Sequence, residues 1–150
     1  MTEKNKQNWL IELQNQGYRI TNPLKVIVDI LSKSEYLLNP TEVFLEARKE
    51  NPRIGLVTIY RAMEKLEQSG LIDRVHMPDG CQSFFQSSEG HKHLLICEVC
   101  GKAEYFEGGD LNRFFHNIGE QFGYDISDHW LQLFGKCSSC IEKGISQAES

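Results

Sequence analysis

Gly55-Leu56-Val57-Thr58-Ile59-Tyr60-Arg61-Ala62-Met63-Glu64-Lys65-Leu66-Glu67-Gln68-Ser69-Gly70 is the stretch on which the fold turns. Ile59, Met63 and Leu66 recur at the 3.6-residue period and predict the buried stripe of a helix. Thr58, Tyr60, Arg61 and Lys65 lie off that stripe near the helix start, where backbone N–H groups, hydroxyls and cations can meet phosphates and base edges. Such a face is usually only solvated. Its meaning comes from the residues that follow. Leu71-Ile72-Asp73-Arg74-Val75-His76 alternates like a strand, Pro78-Asp79-Gly80 is a turn, and Cys81-Gln82-Ser83-Phe84-Phe85-Gln86 reads as the returning strand.

Working backwards, three more helices are expected. Trp9, Leu10 and Leu13 mark one over residues 6–16, stopped by Gly17. Thr21 or Asn22 caps a second, with Pro23 in its first turn and Val26, Ile27, Ile30 and Leu31 apolar, ending near Lys33. Asn39-Pro40-Thr41 starts a third, with Val43, Phe44 and Ala47 on one face, and Asn51-Pro52 closes it. Helices leading to a recognition helix and a two-stranded wing make a winged helix-turn-helix, whose recognition helix enters the major groove of DNA.

Working forwards, the chain changes chemistry. Four of its five cysteines fall in two C-x-x-C pairs, Cys97/Cys100 and Cys137/Cys140. Two such pairs supply the four soft ligands of a tetrahedral Zn(II), and Gly101 permits the tight turn after the first. A thioredoxin-like redox pair would need a surrounding βαβ pattern that is missing here. Between the pairs, residues 101–106 read as a strand, 110–123 as a helix with Leu111, Phe114, Phe115, Ile118 and Phe122 apolar, and 124–134 as another strand. The expected architecture is α+β: an N-terminal winged helix-turn-helix over residues 1–84, then a small α/β unit over 85–150 holding a four-cysteine zinc site. The second unit has more aromatic surface than so small a core needs and leaves a sheet edge open, which suggests dimerisation through it.

A second metal site is expected near the junction. In a strand, His91 and His93 would project from one face, and His76 and Cys81 nearly face each other across the hairpin, so these four form the candidate set. Glu104, Glu107 and His129 could contribute to a further site, whereas His116, on the helix, reads as structural.

Composition sets the outer limits. A chain of 150 residues, 40% hydrophobic and 25% charged, is globular rather than disordered. No apolar run approaches the roughly 18 to 20 residues that span a bilayer, and MTEKNKQNWL lacks the order of a secretory signal. A cytoplasmic protein without a membrane partner is expected. The net charge of -5 hides an asymmetry: residues 1–75 carry 11 Lys/Arg against 10 Asp/Glu, and residues 76–150 carry 5 against 11. A polyanion should prefer the first half.

Winged helix, H-x-H, C-x-x-C-G and a terminal C-x-x-C, in this order, resemble the Fur family of metal-responsive bacterial transcription regulators. The similarity runs from Tyr18-Arg19-Ile20-Thr21 through Gly55-Leu56-Val57-Thr58-Ile59-Tyr60-Arg61 to His129-x5-Gly135-x-Cys137. It implies a homodimer binding an inverted-repeat operator in double-stranded DNA, with an N-terminal DNA-binding domain, a C-terminal dimerisation domain and a regulatory metal at the hinge. It implies DNA contacts from Arg19, Thr58, Tyr60 and Arg61, and structural zinc on Cys97, Cys100, Cys137 and Cys140.

Departures from the family pattern bear on the metal. Iron- and peroxide-sensing members usually place a His where this chain has Tyr36-Leu37-Leu38-Asn39, and an acidic ligand where it has Gln86. His76 matches a ligand position of zinc-sensing members, and a sulfur such as Cys81 favours zinc over Fe(II) or Mn(II). The expectation is a zinc-sensing repressor of metal-uptake genes, with regulatory Zn(II) on His76, Cys81, His91 and His93; regulatory Fe(II) or Mn(II), in an iron- or peroxide-responsive member, is the alternative. Leu24 stands where the family commonly has a phosphate-reaching Arg.

Enzymatic readings fare worse. A zinc deaminase would show H-x-E followed by P-C-x-x-C, but His91-Lys92-His93 has no Glu there and Ile96 precedes Cys97. A zinc hydrolase would need an open metal position and a base, for which only Glu104 offers itself. No small-molecule substrate is expected. A zinc-ribbon module that never touches DNA is the third reading.

Overall fold

The computed structural model describes residues 2–90 and 92–144, the side chain of Thr2 excepted. They divide into two compact units, Met1–Ser87 and Ser88–Ser150. A break after residue 84 would cut a strand that continues to Gln86.

In the first unit, helices α1 (Thr2–Asn15), α2 (Asn22–Lys33), α3 (Pro40–Glu50) and α4 (Leu56–Gln68) precede a hairpin of β1 (Ile72–His76) and β2 (Gln82–Gln86). α1 starts four residues before the apolar spacing announces it, because its first turns are polar, with Asn5 held by Ser32 and Gln86 and Lys6 by Asp29. Its end is as expected: Gly17 turns left-handed at φ 86°, Tyr18 N–H donates to the Leu13 carbonyl at 3.0 Å and Gly17 N–H to the Gln14 carbonyl at 2.9 Å. Thr21 caps α2 by accepting from the Leu24 N–H. Asn39 and Glu42 form a reciprocal capping box at α3.

Fifteen buried residues, from all four helices, the hairpin and Ile54 in the loop before α4, make one core that includes Leu13, Ile27, Val28, Val43, Ile59 and Leu66. Leu24 is part of it, so this side chain packs where a longer cation would have to leave the core. The hairpin gains a short third member that the sequence does not announce. Leu38 and Phe84 exchange both backbone hydrogen bonds, at 3.0 and 2.8 Å, and tie the segment before α3 to β2.

The second unit is a three-stranded sheet in the order β4-β3-β5, with β3 (His93–Cys97) antiparallel to β4 (Ala103–Phe106) and parallel to β5 (Gln132–Gly135). Helix α5 (Leu111–Phe122) forms the crossover that parallel pairing requires, and α6 (Ser138–Glu142) follows β5. The strand expected over 124–134 survives only at its end. Residues 124–131 instead turn back on α5: Gly123 takes φ 74°, Tyr124 N–H donates to the Gly119 carbonyl, and a Cβ on Gly119 would lie 2.6 Å from the Tyr124 carbonyl oxygen. β3 begins at His93; His91, expected to share its face, lies outside the described residues.

Candidate functional site

The tetrathiolate arises from strand register. Parallel pairing sets Cys97, the last residue of β3, opposite Gly135, the last of β5. Both C-x-x-C segments therefore leave the sheet at the same end. Gly101, at φ 77°, turns the first tightly enough for its N–H to reach the Cys97 carbonyl at 2.9 Å, and the first turn of α6 folds the second, with Cys140 N–H donating to the Cys137 carbonyl at 3.0 Å.

Cys97 and Cys140 Sγ lie 3.9 Å apart and Cys100 and Cys137 Sγ 3.8 Å apart, with all four sulfurs within 4.8 Å of one another. Four thiolates at the usual Zn–S distance of about 2.3 Å sit on a tetrahedron with edges of about 3.8 Å. The donor set and spacing thus fit Zn(II). Burial opposes ionisation of Cys97, but N–H donors from Cys100, Cys137 and Val99 outweigh it and hold the thiol down to about 6. Burial, reinforced by the neighbouring thiols, pushes Cys140 up to about 12. A cation shared by all four would be needed to ionise them together.

This is the one group of three or more converging His, Cys, Asp or Glu side chains among the described residues. Glu104, Glu107 and His129 do not meet: Glu104 pairs with Lys102 at 3.2 Å and Glu107 is exposed. His129 joins another neighbourhood. Its ring lies 5.2 Å from that of buried His93 and 4.2 Å from Phe115, with Phe106 lying 5.5 Å from His93. Gly108 leaves room for the His93 ring, since a Cβ there would approach it to 2.8 Å. The sequence does not announce the His93–His129 pairing, because the residues before β5 do not follow strand alternation. Exposed His116 lies 3.3 Å from Glu120, one turn along α5.

His76 and Cys81 do not face each other across the hairpin. The Pro78-Asp79-Gly80 loop closes with Met77 N–H donating to the Cys81 carbonyl, which sets His76 opposite Gln82. Both candidate ligands are exposed, and the Asp79 carboxylate beside Cys81 raises its thiol above the ordinary range. They belong to the first unit and His93 to the second. Gln86 is engaged within the first unit, accepting from Asn5 Nδ2 and donating to the Ser34 carbonyl, each at 3.1 Å.

The recognition helix presents what its sequence promised. Ile59, Ala62, Met63 and Leu66 are buried, while Thr58, Tyr60, Arg61 and Lys65 are exposed, as is Arg19. Gly55 gives α4 no side-chain cap. The Arg74 guanidinium fixes helix to wing by donating to both Glu67 carboxylate oxygens at 2.9 and 2.7 Å and to Gln82 at 2.6 Å, while stacking 5.2 Å over Phe84.

A winged-helix unit followed by a tetrathiolate α/β unit fits the class of metal-responsive transcription regulators. The chain belongs to the ferric uptake regulator family, whose model matches residues 15–134. It is 31% identical over 136 residues to the ferric uptake regulation protein of Neisseria gonorrhoeae, covering 90% of this chain and 94% of that protein. Among solved structures it resembles a zinc-bound manganese uptake regulator, at 26% identity and TM-score 0.72 over 86% of this chain and 98% of the other. It shares the fold of a zinc uptake regulator complexed with zinc and DNA, at 16% identity and TM-score 0.73 over 96% of this chain and 97% of the other. No helix among the described residues is long and apolar enough to cross a membrane.

Proposed function

We propose that the chain is a zinc-sensing repressor that binds an inverted-repeat operator as a homodimer, with the first unit containing the DNA-reading surface and the second the dimer contact and structural zinc. The exposed face of α4 carries the reading: Thr58, Tyr60 and Arg61 project from a helix that Arg74 holds against its wing. Arg19 adds a backbone contact. α5 and the segment after it leave Phe114, Phe122, Tyr124 and Trp130 exposed, which supports a second copy as their cover.

Cys97, Cys100, Cys137 and Cys140 hold the structural ion. His76, Cys81, His91 and His93 hold the regulatory one, whose occupancy licenses DNA binding. A switch from about 1% to 99% requires a roughly ten-thousand-fold preference of the metal for the DNA-competent state. Zinc rather than Fe(II) or Mn(II) is favoured by the sulfur of Cys81 and by Gln86, a neutral amide already committed to Asn5 and Ser34.

The test is retention of selected duplex DNA by full-length protein in buffered Zn(II), Fe(II) and Mn(II) at constant salt. Zinc alone should give tight retention. Equal retention with Fe(II) and none with Zn(II) would favour the iron-responsive reading suggested by the names of the relatives.

A further inference from the structure

On α4, the buried residues Ile59, Ala62, Met63 and Leu66 define the inward face, and Val57 falls at the centre of the opposite one. Tyr60 and Arg61 follow it at i+3 and i+4 and share its face. Leu56, Val57 and Tyr60 are 43%, 64% and 54% exposed, so a helix otherwise well buried on one side begins with three uncovered apolar side chains. Thr58, Arg61 and Lys65, all exposed, border them. An apolar patch ringed by cations and a hydroxyl on a helix uncapped by its N-cap side chain fits a partner with both charge and methyl groups. The major groove presents that combination, because thymine alone among the bases carries a 5-methyl group there. Exposed Glu64 lies seven residues further on, about 10 Å up the helix, clear of the N-terminal residues that such a helix sends deepest into the groove.

We infer that Val57 is a specificity residue that packs its methyl groups against the 5-methyl of a thymine in each operator half-site. The inference rests on the DNA-binding reading above and adds a base preference to it. Valine suits the task because its branched side chain is stiff at χ1 and holds both methyls forward with little entropy left to lose.

Zinc-loaded full-length protein would be used to select bound duplexes from a random pool, and each thymine of the recovered half-site would be replaced by deoxyuridine, which lacks only the methyl. Loss of one buried methyl corresponds to about fourfold in affinity. Wild-type protein should lose that factor at one thymine per half-site, and Val57→Ala should bind the thymine and deoxyuridine duplexes equally there. Val57→Ala trims a side chain that is 64% exposed and replaces a weaker helix former by a stronger one, so it folds; circular dichroism checks this. If the variant keeps the wild-type loss at every thymine, the assignment is wrong. If wild-type protein recovers no duplex in Zn(II), Fe(II) or Mn(II), the DNA-binding reading itself falls, and this inference with it.

Discussion

Helices α2 and α5 are both twelve residues long and both carry apolar stripes, yet they end in opposite circumstances. α2 buries Leu24, Ile27, Val28 and Leu31, whereas α5 buries only Gly119 and leaves Phe114 and Phe122 more than half exposed. The contrast extends to the units they belong to. The first has a fifteen-residue core. In the second, the buried apolar side chains among the described residues are Leu94, Ile96, Cys97, Ala103 and Cys140, two of them thiols of the tetrathiolate. Small units with so little core usually need a metal, a disulfide or a partner. The first unit is stabilised chiefly from within; the second, on the function proposed above, relies on a bound metal and a second copy.

The sharpest way to break this comparison is to remove a thiol. Cys97→Ser should cost the second unit on the order of 10 kcal/mol of metal-linked stability, collapsing amide protection over β3 to β5 while protection of α2 and α4 persists. Equal loss in both units would show that they are one cooperative body. Next in size, Leu13→Ala, in a fully buried position, should destabilise the first unit by about 2 to 5 kcal/mol in urea unfolding and leave the zinc content unchanged.

A smaller effect distinguishes exposed from buried apolar residues. Phe114→Ala should change monomer stability by less than about 0.5 kcal/mol but weaken self-association by about tenfold or more, read by sedimentation equilibrium; an unchanged dimer would remove α5 from the contact. Smallest of all, Thr21→Ala should cost about 1 kcal/mol through loss of the α2 cap, visible as a lower midpoint of thermal unfolding for the first unit alone.

Legibility in the sequence follows the same division. The first unit is readable because its signals are local: Gly17 stops α1, Thr21 and Asn39 cap α2 and α3, and Ile59, Met63 and Leu66 mark the inner face of α4. What escapes a sequence reading depends on pairing between distant residues. Nothing at residues 34–39 alternates enough to announce the Leu38–Phe84 bridge, and a three-residue loop with left-handed Gly80 sets His76 against Gln82 rather than near Cys81. In the second unit the four cysteines are legible from spacing. Their convergence depends on the parallel register of β3 and β5, which no local pattern encodes, and the same return of the chain brings His129 beside His93. The apolar stripe of α5 reports that a face will be covered without saying by what; the unit's excess of aromatic residues is what points to a second copy.

The central claim is that a second ion, held by the proposed set His76, Cys81, His91 and His93, licenses DNA binding. Its most direct test compares wild-type protein with Cys81→Ala, measuring zinc per protomer and fluorescence anisotropy of a labelled selected duplex across buffered zinc at fixed salt. The account predicts two zinc ions per wild-type protomer, one in the variant, and zinc-dependent duplex binding only in the wild type, with both proteins dimeric. A variant that retains the second ion and binds the duplex with the wild-type zinc dependence would contradict it.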